Sequence, residues 1–425
     1  MLAGARELTG FLEDTIIQNR HARNAGLHFV FVVRVANMDK LALRLGLDDA
    51  LSVMDGLVEQ LKTQLRDKDN VFRLSDRDLG VVLPNMSNSA LINVVNHRIG
   101  EVVGRYCEAL ERLQKMPIRT HVGVAMYPEH GRNPGQILHH AFSAMIGAAK
   151  NSTELLRYSE ESDEGLKWEF EMEQQLSQAI ANDEFRLAYQ PQMDLVSGRI
   201  SGAEVLLRWK NAVLGDISPS VFIPVSETNG SIVEITEWII QKALNQLHSW
   251  SQVDNGLGLS INISPASLRD RSFPGFLQQS MELWNVDPRV LTLEITENAM
   301  IEDPRQVFIM LSELKELGLK ISIDDFGTGY SSLHYLSKLP IDELKIDQSF
   351  LRDATAWHAN RKIIETILNL ANNFELEVVA EGVENSELLD FLRLVGCHKA
   401  QGYFIGHPMA ANGFQDFIAG RPANP

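Results

Sequence analysis

Cysteine is almost missing from this 425-residue chain: Cys107 and Cys397 are the only two, far apart and in no CxxC spacing. That excludes a disulfide framework and a zinc site built on thiolates, and leaves two buried thiols in a reducing compartment. Long apolar runs are missing too. No stretch reaches the roughly 18 apolar residues that a membrane span needs, and the N-terminal MLAGARELTG has no apolar signal region, so a cytoplasmic protein without a membrane partner is expected. Positive charge is in deficit, with 39 Lys and Arg against 56 Asp and Glu and a net charge of −17. An acidic chain repels polyphosphate, which disfavours duplex nucleic acid as a partner; a small phosphorylated ligand stays compatible if metals carry the positive charge. What is present is ordinary for a folded chain: 44% hydrophobic and 22% charged residues exclude disorder as the dominant state. The length suggests two or three domains.

A charged, apolar-poor stretch, Ser159 to Glu169 (SEESDEGLKWE), separates two patterns. This places a first domain at residues 1–160, a linker at 161–172 and a second domain at 173–421. In the first, HFVFVVRVA (His28 to Ala36) reads as a buried strand and one long helical pattern runs from Met38 to Leu65. NVFRL and LGVVLP flank the polar tip Ser75-Asp76-Arg77-Asp78 as a hairpin. An α+β sheet with antiparallel strands and packed helices is expected. The second domain offers eight strand candidates: FRLAYQPQ, ISGAEVLLRW, LGLSINIS, VLTLEITE, LKISIDDFG, DELKIDQS, LEVVAEGVE and HKAQGYFIG. The first two are joined by the tight turn Val196-Ser197-Gly198 and should be antiparallel. Helical patterns separate the rest, so the fold class is a (β/α)8 barrel with one reversed strand.

These strands read as apolar except near their C-terminal ends. There they carry Glu204, Asn262, Glu294, Asp324 with Asp325, Lys345 with Asp347, Glu381 and Gln401. Seven successive strands thus deliver polar groups to the rim where barrel enzymes keep their chemistry. A lone carboxylate there would be a solvated loop residue. Several converging on one cavity repel one another by several kcal/mol, of order, without a counter-charge. Carboxylates and an amide, with no His or Cys, suit hard ions such as Mg2+ or Mn2+. Asp324 and Asp325 are adjacent where a strand is ending, so alternation can relax and both can face the cavity. Two metals about 3.5 to 4 Å apart are the usual arrangement for phosphodiester hydrolysis, because they stabilise both attacking and leaving oxygens. The following loop, Phe326-Gly327-Thr328-Gly329-Tyr330-Ser331-Ser332, has glycines suited to a sharp turn or close ligand approach. Lys345 and Arg208 can each stabilise charge on phosphate.

The strings GAEVLLRW, LSINIS, LTLEITEN, ISIDDFGTGYSSL, DELKIDQSF, VVAEGVEN and QGYFIGHPM occur in that order. Together they resemble the EAL family of cyclic di-GMP phosphodiesterases across residues 170 to 420. The resemblance implies two-metal (Mg2+ or Mn2+) hydrolysis of cyclic di-GMP to linear pGpG, with Glu204, Asn262, Glu294, Asp324, Asp325 and Glu381 as metal ligands. It implies that Lys345 positions or activates the attacking water, with Glu381, Gln401 and Glu384 alongside as catalytic residues. It puts Arg208, Leu206 and Asp347 at the substrate, and Glu297 as the residue that holds the loop after Asp325. A homodimer through the EAL domain is a further implication. The signature triplet departs from the family in reading Glu204-Val205-Leu206. Strand alternation turns Val205 away from Glu204 into the helix layer, so a packing change is expected and not a lost ligand. After Trp209, Asn211-Ala212 replaces the family's His-Pro.

The first domain is similar to the GGDEF family of diguanylate cyclases over about residues 6 to 158, for example in VGVAMYPEHG. Its hairpin lacks the glycines that let nucleotide approach the backbone. Arg34 and Ala36 align with the family's acidic metal positions. A noncatalytic domain is therefore expected. Arg66 and Asp69, an RxxD five residues before the hairpin, have the spacing of the family's product-inhibition site, against the alternative of a helix-end salt bridge. No sensory domain is seen before residue 1, so input is expected from the first domain or from a protein partner. The alternative function is a receptor that binds cyclic di-GMP without cleaving it.

Overall fold

The computed structural model describes residues 3–19, 26–109, 118–251, 256–297, 299, 304–327, 338–352 and 357–420. The chain divides into two compact units, Met1–Glu171 and Met172–Pro425. The first contains α1 (Ala3–Asn19), β1 (Leu27–Val35), α2 (Met38–Leu45), α3 (Leu47–Gln64), β2 (Asn70–Arg73) and β3 (Asp78–Met86). These are followed by α4 (Leu91–Ala109), β4 (Thr120–Tyr127), α5 (Pro134–Lys150) and β5 (Leu155–Arg157). The sheet order is β2-β3-β1-β4-β5. Only the β4–β5 pair is parallel.

β1 lies in the middle because both of its faces are apolar. Phe29, Phe31, Val33 and Val35 pack with Leu41, Met54, Leu57 and Ile99 of α2 to α4. Val30 and Val32 pack with Leu8 and Leu12 of α1 and Ala141 and Met145 of α5. Gly123 lets α5 approach β4 closely, since a Cβ there would lie 2.1 Å from the Met145 backbone nitrogen. The single helical pattern expected from Met38 to Leu65 is two helices. Gly46 breaks it with φ 89° and ψ 157°, a conformation reserved for glycine. The stretch expected to be a linker is likewise helical: α6 spans Glu160–Leu176, with Glu160, Glu161 and Asp163 in its first turn, where acidic side chains favour a helix N-terminus.

The second unit holds β6 (Phe185–Asp194), β7 (Ile200–Asn211), β8 (Gly215–Ile217), β9 (Gly258–Asn262) and β10 (Leu291–Thr296). It continues with β11 (Lys320–Phe326), β12 (Glu343–Ile346), β13 (Glu377–Ala380) and β14 (Lys399–Gln401). The order β6-β14-β13-β12-β11-β10-β9-β7, closed by β6–β7, is a barrel of eight strands, and β8 extends β7 outside the ring. β6 is the reversed strand, antiparallel to both β7 and β14. Its turn into β7 uses Gly198 at φ 70° and a 2.6 Å bond from the Ser197 amide to the Asp194 carboxylate. No described helix is long and apolar enough to cross a membrane.

Strand alternation sorts the side chains. Ala203, Val205, Leu259, Ile261, Leu293 and Ile321 face outward and pack against helices such as Ile232–Ser251 and Pro304–Glu316. Leu344, Ile346, Val378 and Ala380 do the same on the other side of the barrel. The alternate positions face inward, and they are not apolar below the C-terminal rim as the sequence suggested. Ser260 and Ser322 are buried there, and at the N-terminal end Lys399 Nζ lies 2.8 Å from Glu343 Oε2 and 2.9 Å from Glu377 Oε2. A charged lower layer thus underlies the rim. Burying those charges is tolerable because they are paired.

Candidate active site

Lys345 on β12 stands at the centre of the upper layer, wholly buried. Its Nζ lies 2.6 Å from Glu381 Oε1, 2.8 Å from Glu294 Oε2, 3.3 Å from Asp324 Oδ1 and 3.5 Å from Glu204 Oε2. Three strands separate β7 from β12, so the Lys345–Glu204 contact crosses the barrel interior. Burial alone would lower the lysine's pKa, but the surrounding carboxylates raise it well above its ordinary value. It is a fixed cation.

Glu204 lies mid-strand and not at the end of β7, because β7 runs on to Asn211 to pair with β8. Its partners hold it firmly. Asn262 Nδ2 donates to Oε1 at 2.8 Å and Gln401 Nε2 to Oε2 at 2.6 Å. Burial would raise Glu204, but the Lys345 charge and these amides overcome it and hold the carboxyl below its usual range. Glu294 accepts from Lys345 through Oε2, and among the described residues its buried Oε1 has no hydrogen-bond partner. Burial pushes its pKa well up despite Lys345.

At the end of β11 the register slips between Ile323 and Phe326, and Asp325 adopts φ 56°. Aspartate tolerates this left-handed conformation better than most side chains do. Carboxylate oxygens of Asp324, Asp325 and Glu381 consequently lie within 4.8 Å of one another. Burial, then the charges of Asp324 and Asp347, push Asp325 up to about 6. Burial also pushes Glu381 up to about 7, against the pull of Lys345.

A cavity of about 200 Å3 opens beside these groups, lined by Glu204, Asp324, Glu381, Glu384, Gln401 and Gln348 among others. Five carboxylates (Glu204, Glu294, Asp324, Asp325 and Glu381) cluster here with the ammonium of Lys345, and Glu384 brings a sixth carboxylate to the cavity wall. Hard divalent cations fit this donor set. The oxygens are carboxylates, one buried oxygen lacks a partner, and Asn262, donating through nitrogen, leaves its oxygen for a cation.

The remaining candidates fall around this core. Leu206 and Arg208 share the inward face of β7 with Glu204, and Arg208 Nη1 donates to the Leu207 carbonyl at 2.8 Å. Val205 belongs to the outward cluster with Ile240 and Leu244. The Ser349 amide donates to Asp347 at 2.9 Å. Glu297 is buried and accepts from the Gly327 amide at 3.3 Å. Of the loop Phe326 to Ser332, residues 328–332 lie outside the described residues. Arg66 and Asp69 belong to the other unit and form a helix-end salt bridge of 2.6 Å, with the same guanidinium reaching the Pro84 carbonyl. Arg34 there pairs with Asp78 at 2.8 Å and 3.1 Å across β1 and β3, and Ser75 Oγ donates to the same carboxylate. Residues of the barrel site that escaped sequence reasoning include Gln190, Gln192 and Gln348. The first two had a signal, since they are uncharged polar side chains at alternate positions of a strand.

Residues 173–408 match the EAL domain family, and residues 6–154 match the diguanylate cyclase GGDEF domain family. The chain is similar to "Cyclic di-GMP phosphodiesterase PA2567" of Pseudomonas aeruginosa, 32% identical over 364 residues, covering 85% of this chain and 61% of that protein. It is similar to "Cyclic di-GMP phosphodiesterase NbdA" of the same organism, 30% identical over 423 residues, covering 98% of this chain and 53% of that one. It therefore spans between half and two thirds of these relatives. Among solved structures it resembles "PaMucR Phosphodiesterase, c-di-GMP complex", with a TM-score of 0.56 and 34% identity over 57% of this chain and 99% of that one.

Proposed function

The chain belongs to the EAL domain family, with a GGDEF domain ahead of it in sequence, and on that premise we propose that it hydrolyses cyclic di-GMP to linear pGpG with two Mg2+ or Mn2+ ions. The observation that carries this reading is the excess of carboxylates, five in the cluster and Glu384 on the cavity wall, over the ammonium of Lys345. Glu204, Asn262, Glu294, Asp324, Asp325 and Glu381 would hold the ions. Bound there, such ions neutralise phosphate and generate a nucleophile at neutral pH. The chain's own contribution is geometry. Asn262 and Gln401 fix Glu204, and Lys345 keeps a permanent positive charge beside Glu381 and Asp324, where negative charge develops during phosphodiester cleavage. Glu384 and Gln401 line the same cavity, with Arg208, Leu206 and Asp347 at the substrate and Glu297 holding the backbone after Asp325. The proposal extends to a noncatalytic GGDEF domain, a homodimer through the EAL domain and a signal relayed by that first domain or by a protein partner.

Incubation of the full chain with cyclic di-GMP and Mg2+ or Mn2+, followed by chromatography, should yield pGpG. E204A and D324A should each lower turnover by about 10²- to 10³-fold, the usual effect of losing one preorganised electrostatic element. Calcium should inhibit, because its larger and looser coordination misplaces the reacting groups. Tight binding of cyclic di-GMP without any pGpG would replace the enzyme with a receptor.

A further inference from the structure

The reversed strand brings a second amide under the site. Gln192 of β6 lies directly opposite Gln401 of β14, and its Nε2 is 3.0 Å from Gln401 Oε1. Both side chains are buried, at 5% and 4% exposure. Gln401 in turn gives its two amide hydrogens to Glu204 Oε2 at 2.6 Å and Gln190 Oε1 at 3.0 Å.

Donor chemistry fixes the direction of this chain. An ionised carboxylate only accepts, so the Glu204 contact requires the NH2 of Gln401 to face it. The carbonyl of Gln401 then faces Gln192, and two carbonyls cannot meet there, so Gln192 must donate. We infer that Gln192 is a positioning residue: by donating to Gln401 it locks that amide in the orientation that holds Glu204. The inference rests on the two-metal reading, in which Glu204 is a ligand. Groups that orient a metal ligand govern affinity about as strongly as the ligands' own geometry does, with typical losses of about 10- to 100-fold on their removal. Successive amide donors also polarise one another, so the loss of the first weakens the second.

Four variants in the full chain (Q192M, Q192E, Q401M and Q192M/Q401M) separate orientation from packing. Q192M keeps the length and removes the donor, and should weaken Mn2+ binding, read by calorimetry without nucleotide, about 10- to 100-fold. Q192E keeps the length and polarity but can only accept, so it would turn the Gln401 carbonyl toward Glu204. It should weaken Mn2+ binding more than Q192M does, although it is the closer mimic of glutamine. In the Q401M background, adding Q192M should cost nothing further, because Gln192 acts through the Gln401 amide. Thermal melting of each variant reports folding separately.

Equal Mn2+ affinities for wild type, Q192M and Q192E would overturn the inference, as would additive losses in the Q192M/Q401M pair. A wild-type chain that binds Mn2+ but makes no pGpG would overturn the hydrolase reading while the affinity ordering still decides the role of Gln192. A wild-type chain that binds no Mn2+ would overturn both.

Discussion

Remove Lys345 and the carboxylates of Glu204, Glu294, Asp324 and Glu381 lose the cation that all four contact. Breaking a buried pair from one side typically costs about 3 to 5 kcal/mol. K345M should therefore melt well below wild type in chelator, and Mn2+ should restore part of the difference, because a cation can occupy the orphaned charge. Hydrolysis should nevertheless stay down by at least about 10²-fold with Mn2+ saturating. Calorimetric melting with and without Mn2+, paired with turnover, checks both halves; unchanged melting in chelator would remove Lys345 from the electrostatic balance. The thiols make a simpler case. Burial pushes Cys397 up to about 12 and raises Cys107 too, so neither is a thiolate near neutral pH, and both side chains are buried. A colorimetric thiol reagent should modify no residue in the native chain at pH 8 and two after denaturation.

Elements explain what could be read from the sequence and what could not. The site residues of β10 to β13 were legible because a carboxylate or lysine among Val, Ile and Leu stands out where alternation turns it inward. Glu343 and Lys399 obey the same alternation, but they sit at strand starts, where a charge next to a loop is unremarkable; their pairing needs the closed barrel. Gln192 differs again: its polarity on the inward face of β6 was visible, but its partner, 209 residues away, was not. The acidic opening of α6 was read as a linker, and the boundary between the two units does fall within that helix, but the helix itself was missed although acidic residues in a first turn favour one. Gly46 shows the reverse error, in which periodicity continued through a position whose backbone cannot be helical. A Cβ at Gly46 would meet nothing within 4 Å, so G46A isolates backbone strain. At φ 89° and ψ 157° that strain should cost about 1 to 3 kcal/mol. Urea denaturation followed through the first unit's signal would measure it, and a neutral G46A would mean that α2 and α3 fuse.

For the molecule as a whole, the two units, which match different families, differ in their electrostatics. The barrel site gathers more carboxylates than it can neutralise. In the GGDEF unit the hairpin carboxylate Asp78 is matched by Arg34 and bonded by Ser75, so its charge is already neutralised. The full chain given GTP and Mg2+ should therefore make no cyclic di-GMP. The measurement belongs in E204A, where any product formed would persist; its accumulation there would restore the first unit as a cyclase.

The antiparallel run of β6 also decides where the polypeptide enters the barrel. Phe185, at the start of β6, pairs with Trp209 near the end of β7, and Glu184 just before it accepts from both Trp209 Nε1 and Asn211 Nδ2 at 2.9 Å. Had the first strand run parallel to its neighbours, the incoming chain would arrive at the floor, beside Lys399. It arrives instead at the mouth. The stretch leading out of α6 thus joins the barrel at the end that carries the site, and tension along it would reach the doorway before it reached the foundations.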